Sequence, residues 1–441
     1  MSTLKRRAFL QAGAAAGVWL ASAGRAAEPG RSGEDAIHVA LLGAGAQGRT
    51  LASAAVLLPG LRLRAVCDIW RYSRRALQTY LAAYQQEAND YADYQEMLAK
   101  EKGLHAVIVA TPDSFHAEHA NACLRAGLHV YCEKCMSNSI ELARSMVRTA
   151  RETGKLLQIG YQRRSNPRYR HVAEKLLGEA RLAGRLTHVA GQWNHPVRDD
   201  VGWPVKFAMR DEELRRYGYA SMHELRNWRA LKKYGGGPFA DFGAHQVDVV
   251  HWFLGALPKS VLAVGGRDYY QQHEWHDNAM AALEYDTPQG TVRALCQVQT
   301  TTSGGGLSAF EHFMGTEGSI RIAEHARWTG IFREAHTKEW DEWVRGGLLV
   351  RKEEPAAAKP LTSEEAHARE TGVVVPYELP VVLDKPIHQP HLENFFEAVR
   401  GKARLACPAE TAFAAEVVVH KVNEAIEAKK LLAFAPEEFR V

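Results

Sequence analysis

Cysteine is scarce in this chain, six among 441 residues, and Cys67, Cys123, Cys132, Cys135, Cys296 and Cys407 show no spacing that would frame a disulfide scaffold. The one close pair, Cys132-x-x-Cys135, lacks a second such pair, so neither a zinc site nor a redox disulfide is read from it. A surplus of charge is lacking too. The formal net charge is +4, but Lys5, Arg6, Arg7 and Arg25 fall in the first 26 residues, which hold no acid, and 51 basic residues then face 51 acidic ones. A balanced chain offers no electrostatic footprint for nucleic acid or an anionic membrane. Long apolar runs are missing as well: Ala8 to Ala23 is too short to span a bilayer stably. No repeat unit is evident. A chain that is 46% hydrophobic and 24% charged has an ordinary globular composition, with room for two or more domains.

What is present begins with a leader. Residues 1–35 combine a basic start ending in Arg6 and Arg7, the apolar Ala8 to Ala23, small residues suited to cleavage after Ala23 or Ala26, and a polar linker. KRRAFLQ resembles a twin-arginine signal, with Lys5 where that pattern prefers Ser or Thr. Export to the periplasm, without a stable membrane span, is the expectation.

Ile37 opens a short apolar strand, IHVALL, that runs directly into GAGAQG, Gly43 to Gly48, and a helical stretch from Arg49 to Leu58. A second strand, LRLRAVCD, ends on Asp68, 20 residues past Gly48. Together these form a dinucleotide signature. The glycines permit a tight turn, the helix N-terminus offers amides and a positive dipole to a pyrophosphate, and the acid receives ribose hydroxyls. The Asp68 charge repels a 2′-phosphate and favours NAD, while Arg71 leaves NADP open. Strand and helix patterns continue to alternate through AVIVATP (Ala106 to Pro112), HVYCEK (His129 to Lys134), a helix near Ser139 to Glu152 and LLQIG, as a doubly wound parallel sheet requires. Pro112, His116 and Lys134 then stand at the carboxyl edge, where ligands sit. A lysine there is suited to stabilise negative charge developing on a substrate oxygen.

Residues 227–252 read NWRALKKYGGGPFADFGAHQVDVVHW. Gly235 to Gly237 allow backbone to approach a ligand, and Asp241 and His245 follow in Asp-x-x-x-His spacing. A helix from Phe242 would bring the two onto one face, where the carboxylate orients the ring and holds its pKa near neutrality, as a base for an alcohol proton requires. A capping Asp and a satisfied core His form the alternative.

Taken in order, GAGAQG, AVIVATPDSFHAEHA, YCEKCMSNSIELA, LLQIGYQRR, NWRALKKYGGG, DFGAHQVDVVHWFLG and GTEGSI resemble the blocks of the glucose-fructose oxidoreductase, inositol dehydrogenase and rhizopine-catabolism (Gfo/Idh/MocA) family. The resemblance runs from about Ile37 to Ile322 and again near the C-terminus. It implies an α/β protein with an NAD(P)-binding Rossmann domain, residues 36–160, and a C-terminal α/β domain, residues 161–441. The second domain would carry a largely antiparallel open sheet that binds substrate and makes dimer or tetramer contacts. By resemblance, Lys134 stands beside nicotinamide and substrate, Asp241 is its paired acid and His245 the general acid/base. Cofactor contacts extend to Gly43, Gly45, Ala46, Gln47, Gly48, Asp68, Thr111, Pro112, His116, Glu133, Lys134 and Gln162. Substrate contacts extend to Arg164, Trp228, Arg229, Asp241 and His245. One departure is Cys135, which replaces the proline of the Glu-Lys-Pro motif. A cis bond before a non-proline residue costs about 2.5 to 4 kcal/mol. The Lys134–Cys135 bond is therefore expected to be trans, or to be held strained by binding contacts.

Twenty histidines invite a metal reading, but His116/His119, His273/His276 and His388/His391 lie in separate segments without a clear third ligand, and no metal is expected. After Gly160 come a helix near Arg168 to Gly178, a strand near Thr187 to Asn194 and a polar insertion, His195 to Arg226. Its Trp203, Tyr217 and Tyr219 suit sugar stacking or, equally, a surface lobe or subunit contact. AMAALEY and TVRALCQVQTT read as strands, KEEPAAAKP as an exposed loop, and Leu392 to Val399 and Ala409 to Ala428 as final helices.

A dinucleotide fold behind an export signal implies a cofactor bound before export and then retained, because free nicotinamide cofactor is not expected to be replenished outside the cytoplasm. The leading expectation is an NAD(P)-dependent oxidoreductase acting on a CH-OH group of a sugar, polyol or glycoside, with a non-dissociable NAD. A redox-neutral glycoside hydrolase working through a transient keto-sugar is second, although the GN-x-Y-P-T-H-G-type segment of such enzymes is absent. A noncatalytic sugar binder that holds NAD structurally is third.

Overall fold

The computed structural model of the protein describes residues 36–306, 308–352 and 375–441. The expected leader, residues 1–35, and most of KEEPAAAKP, from Glu353 on, lie outside the described residues. The apolar run at Ile37–Leu42 becomes β1, inside a six-stranded sheet with β2 (Leu61–Cys67), β3 (Asn89–Tyr91), β4 (Ala106–Val109), β5 (His129–Cys132) and β6 (Leu157–Ile159). The order is β3-β2-β1-β4-β5-β6, and every pairing is parallel. Val39, Ala40, Leu41, Val107 and Ile108 are all fully buried, because helices cover both faces; a strand shielded on two sides is apolar throughout rather than alternating. Strand order reverses between β1 and β4, and the crevice at that reversal is where the glycine turn sits.

One face of this sheet packs Leu51, Ala52 and Ala55 of helix Ala46–Ala55 and Leu77 and Leu81 of helix Arg71–Ala82. It also packs Leu392, Phe395 and Phe396 of helix Gln389–Val399. The last of these comes from the far end of the chain. The other face takes helices Asp113–Arg125 and Ile140–Thr153, and helix Ala409–Ala428 packs behind the latter.

The second sheet has ten strands. Its centre is β7 (Leu186–Asn194), flanked by β10 (Gly290–Gln299) and β11 (Ala309–Gly315). Beyond β10 lie β9 (Asn278–Thr287), β8 (Pro258–Gly266) and β16 (Leu432–Ala433). Beyond β11 lie β12 (Gly318–Ile322), β13 (Gly330–Arg333), β15 (Val375–Glu378) and β14 (Val350–Arg351). Only β7 and β10 pair in parallel; the rest is antiparallel. Residues alternate between the faces, as a sheet covered on one side requires. Val261, Ala263, Ala281 and Leu283 point into the core, and Leu262, Val264, Met280 and Leu295 stay exposed.

Candidate active site

Residues from both sheets line one cavity of about 930 Å³. Its cofactor half is the glycine turn. Gly43 has φ +95°, and a Cβ there would lie 2.5 Å from the Ala110 carbonyl oxygen, so only glycine fits. A Cβ on Gly48 would lie 1.8 Å from the Gly43 carbonyl oxygen; this glycine lets the helix pack on the turn and does not line the cavity. Around Gly45 the space is open, and no side chain caps helix Ala46–Ala55, which leaves its N-terminal amides for a ligand. Asp68 accepts from the Ala44 amide at 2.7 Å and the Trp70 amide at 2.8 Å. Burial pushes its carboxyl above the usual carboxylate value, against the pull of those two amides. Gln47 donates to Glu133 Oε1 at 2.9 Å and lies 3.1 Å from His388 Nε2, on the C-terminal segment. An uncapped helix start, open space over Gly45 and an acid at the next strand end fit a dinucleotide.

The chemical half is assembled from distant segments. Lys134 Nζ donates to Asp241 Oδ1 at 2.9 Å, and Arg229 Nε lies 3.1 Å from Asp241 Oδ2. Burial alone would raise the Asp241 carboxyl, but the two cations outweigh it and hold the group well below the usual carboxylate range. For Lys134, burial is outweighed by Asp241, so the ammonium is favoured.

His245 does not receive Asp241, contrary to the expectation from their spacing. Both carboxylate oxygens are taken by Lys134 and Arg229, and among the described residues His245 Nδ1 has no hydrogen-bond partner. The ring lies stacked on Trp193, centroids 5.4 Å apart, and edge-on to Tyr161 at 5.8 Å. Burial first, then Lys134 and Arg163, push its pKa well below the ordinary value, so it is a neutral imidazole rather than one poised near neutrality. The helix there begins as a π-turn, Phe239–Gly243, before the α-helix Ala244–Leu254.

The Lys134–Cys135 bond is cis, which overturns the trans expectation. Contacts bracket it: Cys135 Sγ donates to the Ala240 carbonyl at 2.8 Å, the Cys135 carbonyl lies 2.6 Å from His116 Nδ1, and the Met136 amide donates to Glu416 at 2.8 Å. All six cysteines are buried free thiols.

Of the candidate residues, Gly43, Gly45, Ala46, Gln47, Asp68, Thr111, Pro112, His116, Glu133, Lys134, Gln162, Trp228, Arg229, Asp241 and His245 share the cavity wall. Gly48 and Arg164 do not. Arg164 is a correction: Asp248 neutralises it at 2.9 Å and its guanidinium covers Trp252, so it belongs to the core beneath the site. Its neighbour Arg163 is buried against Glu311 and lies 3.3 Å from Glu324, whose carboxylate lines the cavity and also accepts from Gln162 at 3.2 Å. Arg163 also covers Trp193 at 5.1 Å.

Sequence reasoning missed Trp193, Glu324, His388 and Glu416, because each reaches the site from another part of the chain. Glu416, fully buried on the last long helix, accepts from Tyr161 as well as Met136, and burial pushes its carboxyl up to about 8. Tyr217 and Tyr219 of the insertion line the cavity at its Asp68 end, whereas Trp203 packs outside it.

This chain matches the model of an oxidoreductase family with an NAD-binding Rossmann fold over residues 37–161, and the model of the GFO/IDH/MocA C-terminal domain over residues 175–321. It is 26% identical to a scyllo-inositol 2-dehydrogenase (NAD(+)) of Bacillus subtilis (strain 168), across 66% of this chain and 74% of that one. It is 30% identical to a D-glucoside 3-dehydrogenase of Escherichia coli (strain K12), across 50% of this chain and about half, 54%, of that relative. The fold matches that of the WlbA dehydrogenase from Bordetella pertussis, solved with NADH and UDP-GlcNAcA. The TM-score is 0.65 at 19% identity, covering 91% and 99% of the two chains. These relatives are named as dehydrogenases, and the hydrolase reading finds no support among them.

Proposed function

The chain belongs to the Gfo/Idh/MocA family of NAD-binding oxidoreductases, whose two domain models together match more than half of it, and from that premise we propose that it oxidises a secondary hydroxyl of a neutral cyclic polyol, sugar or glycoside. The observation that carries this reading is the shared carboxylate: Lys134 and Arg229 in the cavity wall are already paired with Asp241, and the buried Arg163 with Glu311 and Glu324. Glu133 adds a further acid to the same wall, Glu324 is paired with Arg163, and burial pushes the Asp113 carboxyl upward, so an anionic sugar would meet repulsion from Glu133 and no unpaired cation beside Lys134. Trp193, Trp228 and Phe242 add aromatic surface to the same wall, with His245 and Arg163 against Trp193 and Arg229 over Trp228.

NAD, when bound, supplies the acceptor for the hydrogen and two electrons that leave carbon. The protein's own residues handle the proton. His245, held neutral, presents an imidazole nitrogen to the hydroxyl, and the Lys134 ammonium hydrogen-bonds the same oxygen as negative charge develops on it. Because burial, and then Lys134 and Arg163, disfavour the imidazolium, His245 returns the proton readily when the reaction runs in reverse. Asp241 keeps Lys134 charged and in place, and Arg229 holds the other oxygen of Asp241.

The acid at Asp68 supports NAD over NADP, and the export leader in residues 1–35 supports a periplasmic protein that retains its cofactor. We place a cofactor-binding unit at 36–160 and a substrate unit at 161–441. The exposed Leu262, Val264, Met280 and Leu295 support a homo-oligomer formed through the ten-stranded sheet.

The test supplies NAD and follows nicotinamide reduction with inositols, D-glucosides and the matching uronates. Neutral substrates are expected to exceed their uronate counterparts by roughly tenfold or more in kcat/KM, the factor that about 1.4 kcal/mol of repulsion gives. Preference for a uronate, or no turnover of any neutral polyol or sugar, would overturn the reading.

A further inference from the structure

The insertion after β7 folds back onto the cofactor sheet at the strand end that bears Asp68. Trp70, two residues on, donates its indole N–H to the Phe207 carbonyl at 2.7 Å. Tyr72 stacks on the Phe207 ring at 5.0 Å, and the Arg226 guanidinium covers the Trp70 ring at 5.3 Å. Below these contacts Trp70, Met209, Leu214, Tyr219, Met222 and Tyr234 form a buried cluster of their own, separate from the two main cores. The cavity wall at this end therefore has two halves. Asp68 and Trp70 come from the cofactor sheet, and Tyr217, Tyr219 and Arg226 come from the insertion.

We propose that residues 196–226 form a clamp that completes the adenosine end of the dinucleotide site and slows release of the bound cofactor. The proposal rests on the reading of Asp68 as the acid that receives the adenosine ribose. Given that reading, the adenosine lies between the sheet edge and the insertion, and it leaves only when the insertion lifts from Trp70. Lifting breaks the Trp70 to Phe207 hydrogen bond, unstacks Tyr72 and exposes the apolar cluster. The same motion opens the site for loading, so the clamp sets a rate in both directions while the chemistry at Lys134 and His245 proceeds with it shut. An enzyme whose cofactor is bound once and kept has a use for such a slow exit.

The experiment uses the full chain. Protein is loaded with NAD and freed of excess by desalting, and NAD release is timed by trapping it with an excess of a second dehydrogenase. Leu214→Ala loosens the insertion's core, and Phe207→Ala removes the stack on Tyr72; neither side chain lines the cavity. Release is expected to speed up roughly tenfold or more in Leu214→Ala and less in Phe207→Ala, since losses of this kind appear in the off-rate. Turnover with NAD in excess should be kept in both. Circular dichroism and proteolysis report whether the rest of the fold survives; proteolytic nicking confined to the insertion together with fast release also supports the clamp. Release as slow in both variants as in the wild type would overturn it while leaving NAD binding intact. A wild type that takes up no NAD at any concentration would instead fail the reading of Asp68, and the clamp with it.

Discussion

On one side of His245, Lys134 and Arg229 share the carboxylate of Asp241 at the edge of the cavity; on the other, Arg163 is shared by Glu311 and Glu324 beneath Trp193. The components are alike and the stoichiometry is inverted, two cations to one acid against one cation to two. The exposures differ as well. Lys134 and Asp241 keep 12% and 23% of their side-chain surface, whereas Arg163 and Glu311 keep 1% and 0% and form a sealed pair, with Glu324, at 23%, reaching the cavity. A sealed charge pair is retained only while every partner is present, because removal of one leaves the other desolvated and unpaired. A pair at a cavity edge can spare a donor. The Lys134 ammonium has three N–H groups, and its contacts with Asp241 leave capacity for a substrate oxygen. The cavity cluster is thus arranged for chemistry and the sealed one for support, although both press on the same imidazole.

The largest expected effect tests the sealed side. Arg163→Met should cost about 3 to 5 kcal/mol in denaturant unfolding, and Arg163→Met combined with Glu311→Gln should recover most of it. Equal losses in the single and double variants would show that Arg163 acts otherwise than by compensating Glu311. On the cavity side, Lys134→Ala should lower kcat by about 10²- to 10³-fold with little change in thermal stability. If it lost stability instead, the two clusters would be the same kind of object.

The smallest effect concerns Glu416, which supports the Lys134–Cys135 turn from behind. Its folded pKa, about 8, lies above the ordinary 4.5. Its favourable contribution is therefore complete below about 4.5 and lost as pH rises through about 8. Glu416→Gln should flatten the decline in stability across that window by at least about 1.4 kcal/mol, the equivalent of one pKa unit. An unchanged profile would show that Glu416 is ionised throughout.

The dinucleotide turn was legible because its parts are local. A strand, Gly43, Gly45 and Gly48, a helix start and Asp68 follow one another within a single βαβ passage; Gly43 and Gly48 answer close backbone approaches, and Gly45 leaves open space for a ligand. Lys134 was legible for a similar reason, as the first residues past a strand end fall on the ligand edge. AMAALEY and TVRALCQVQTT were likewise legible as strands, and they lie in β9 and β10.

Spacing failed where charge from elsewhere competes. Asp241 and His245 are four residues apart, which places neighbours on a helix but says nothing of Lys134 arriving from 107 residues away to take the carboxylate. Arg164 and Arg163 are adjacent, yet they turn to Asp248 and to Glu311, and no local pattern distinguishes them. The insertion showed aromatic residues suited to a sugar, but its seat on Trp70 depends on contacts across 137 residues.

The amino-acid sequence by itself determined the parallel cofactor sheet, the glycine turn with its acid, and the family, because hydrophobic period and backbone constraint act over a few residues. The tertiary structure alone decided that burial and nearby cations favour the neutral form of His245, that Asp241 serves Lys134 and Arg229, and that the insertion packs on Trp70. Those outcomes depend on burial and on which charges meet, and both are set only when segments hundreds of residues apart pack together.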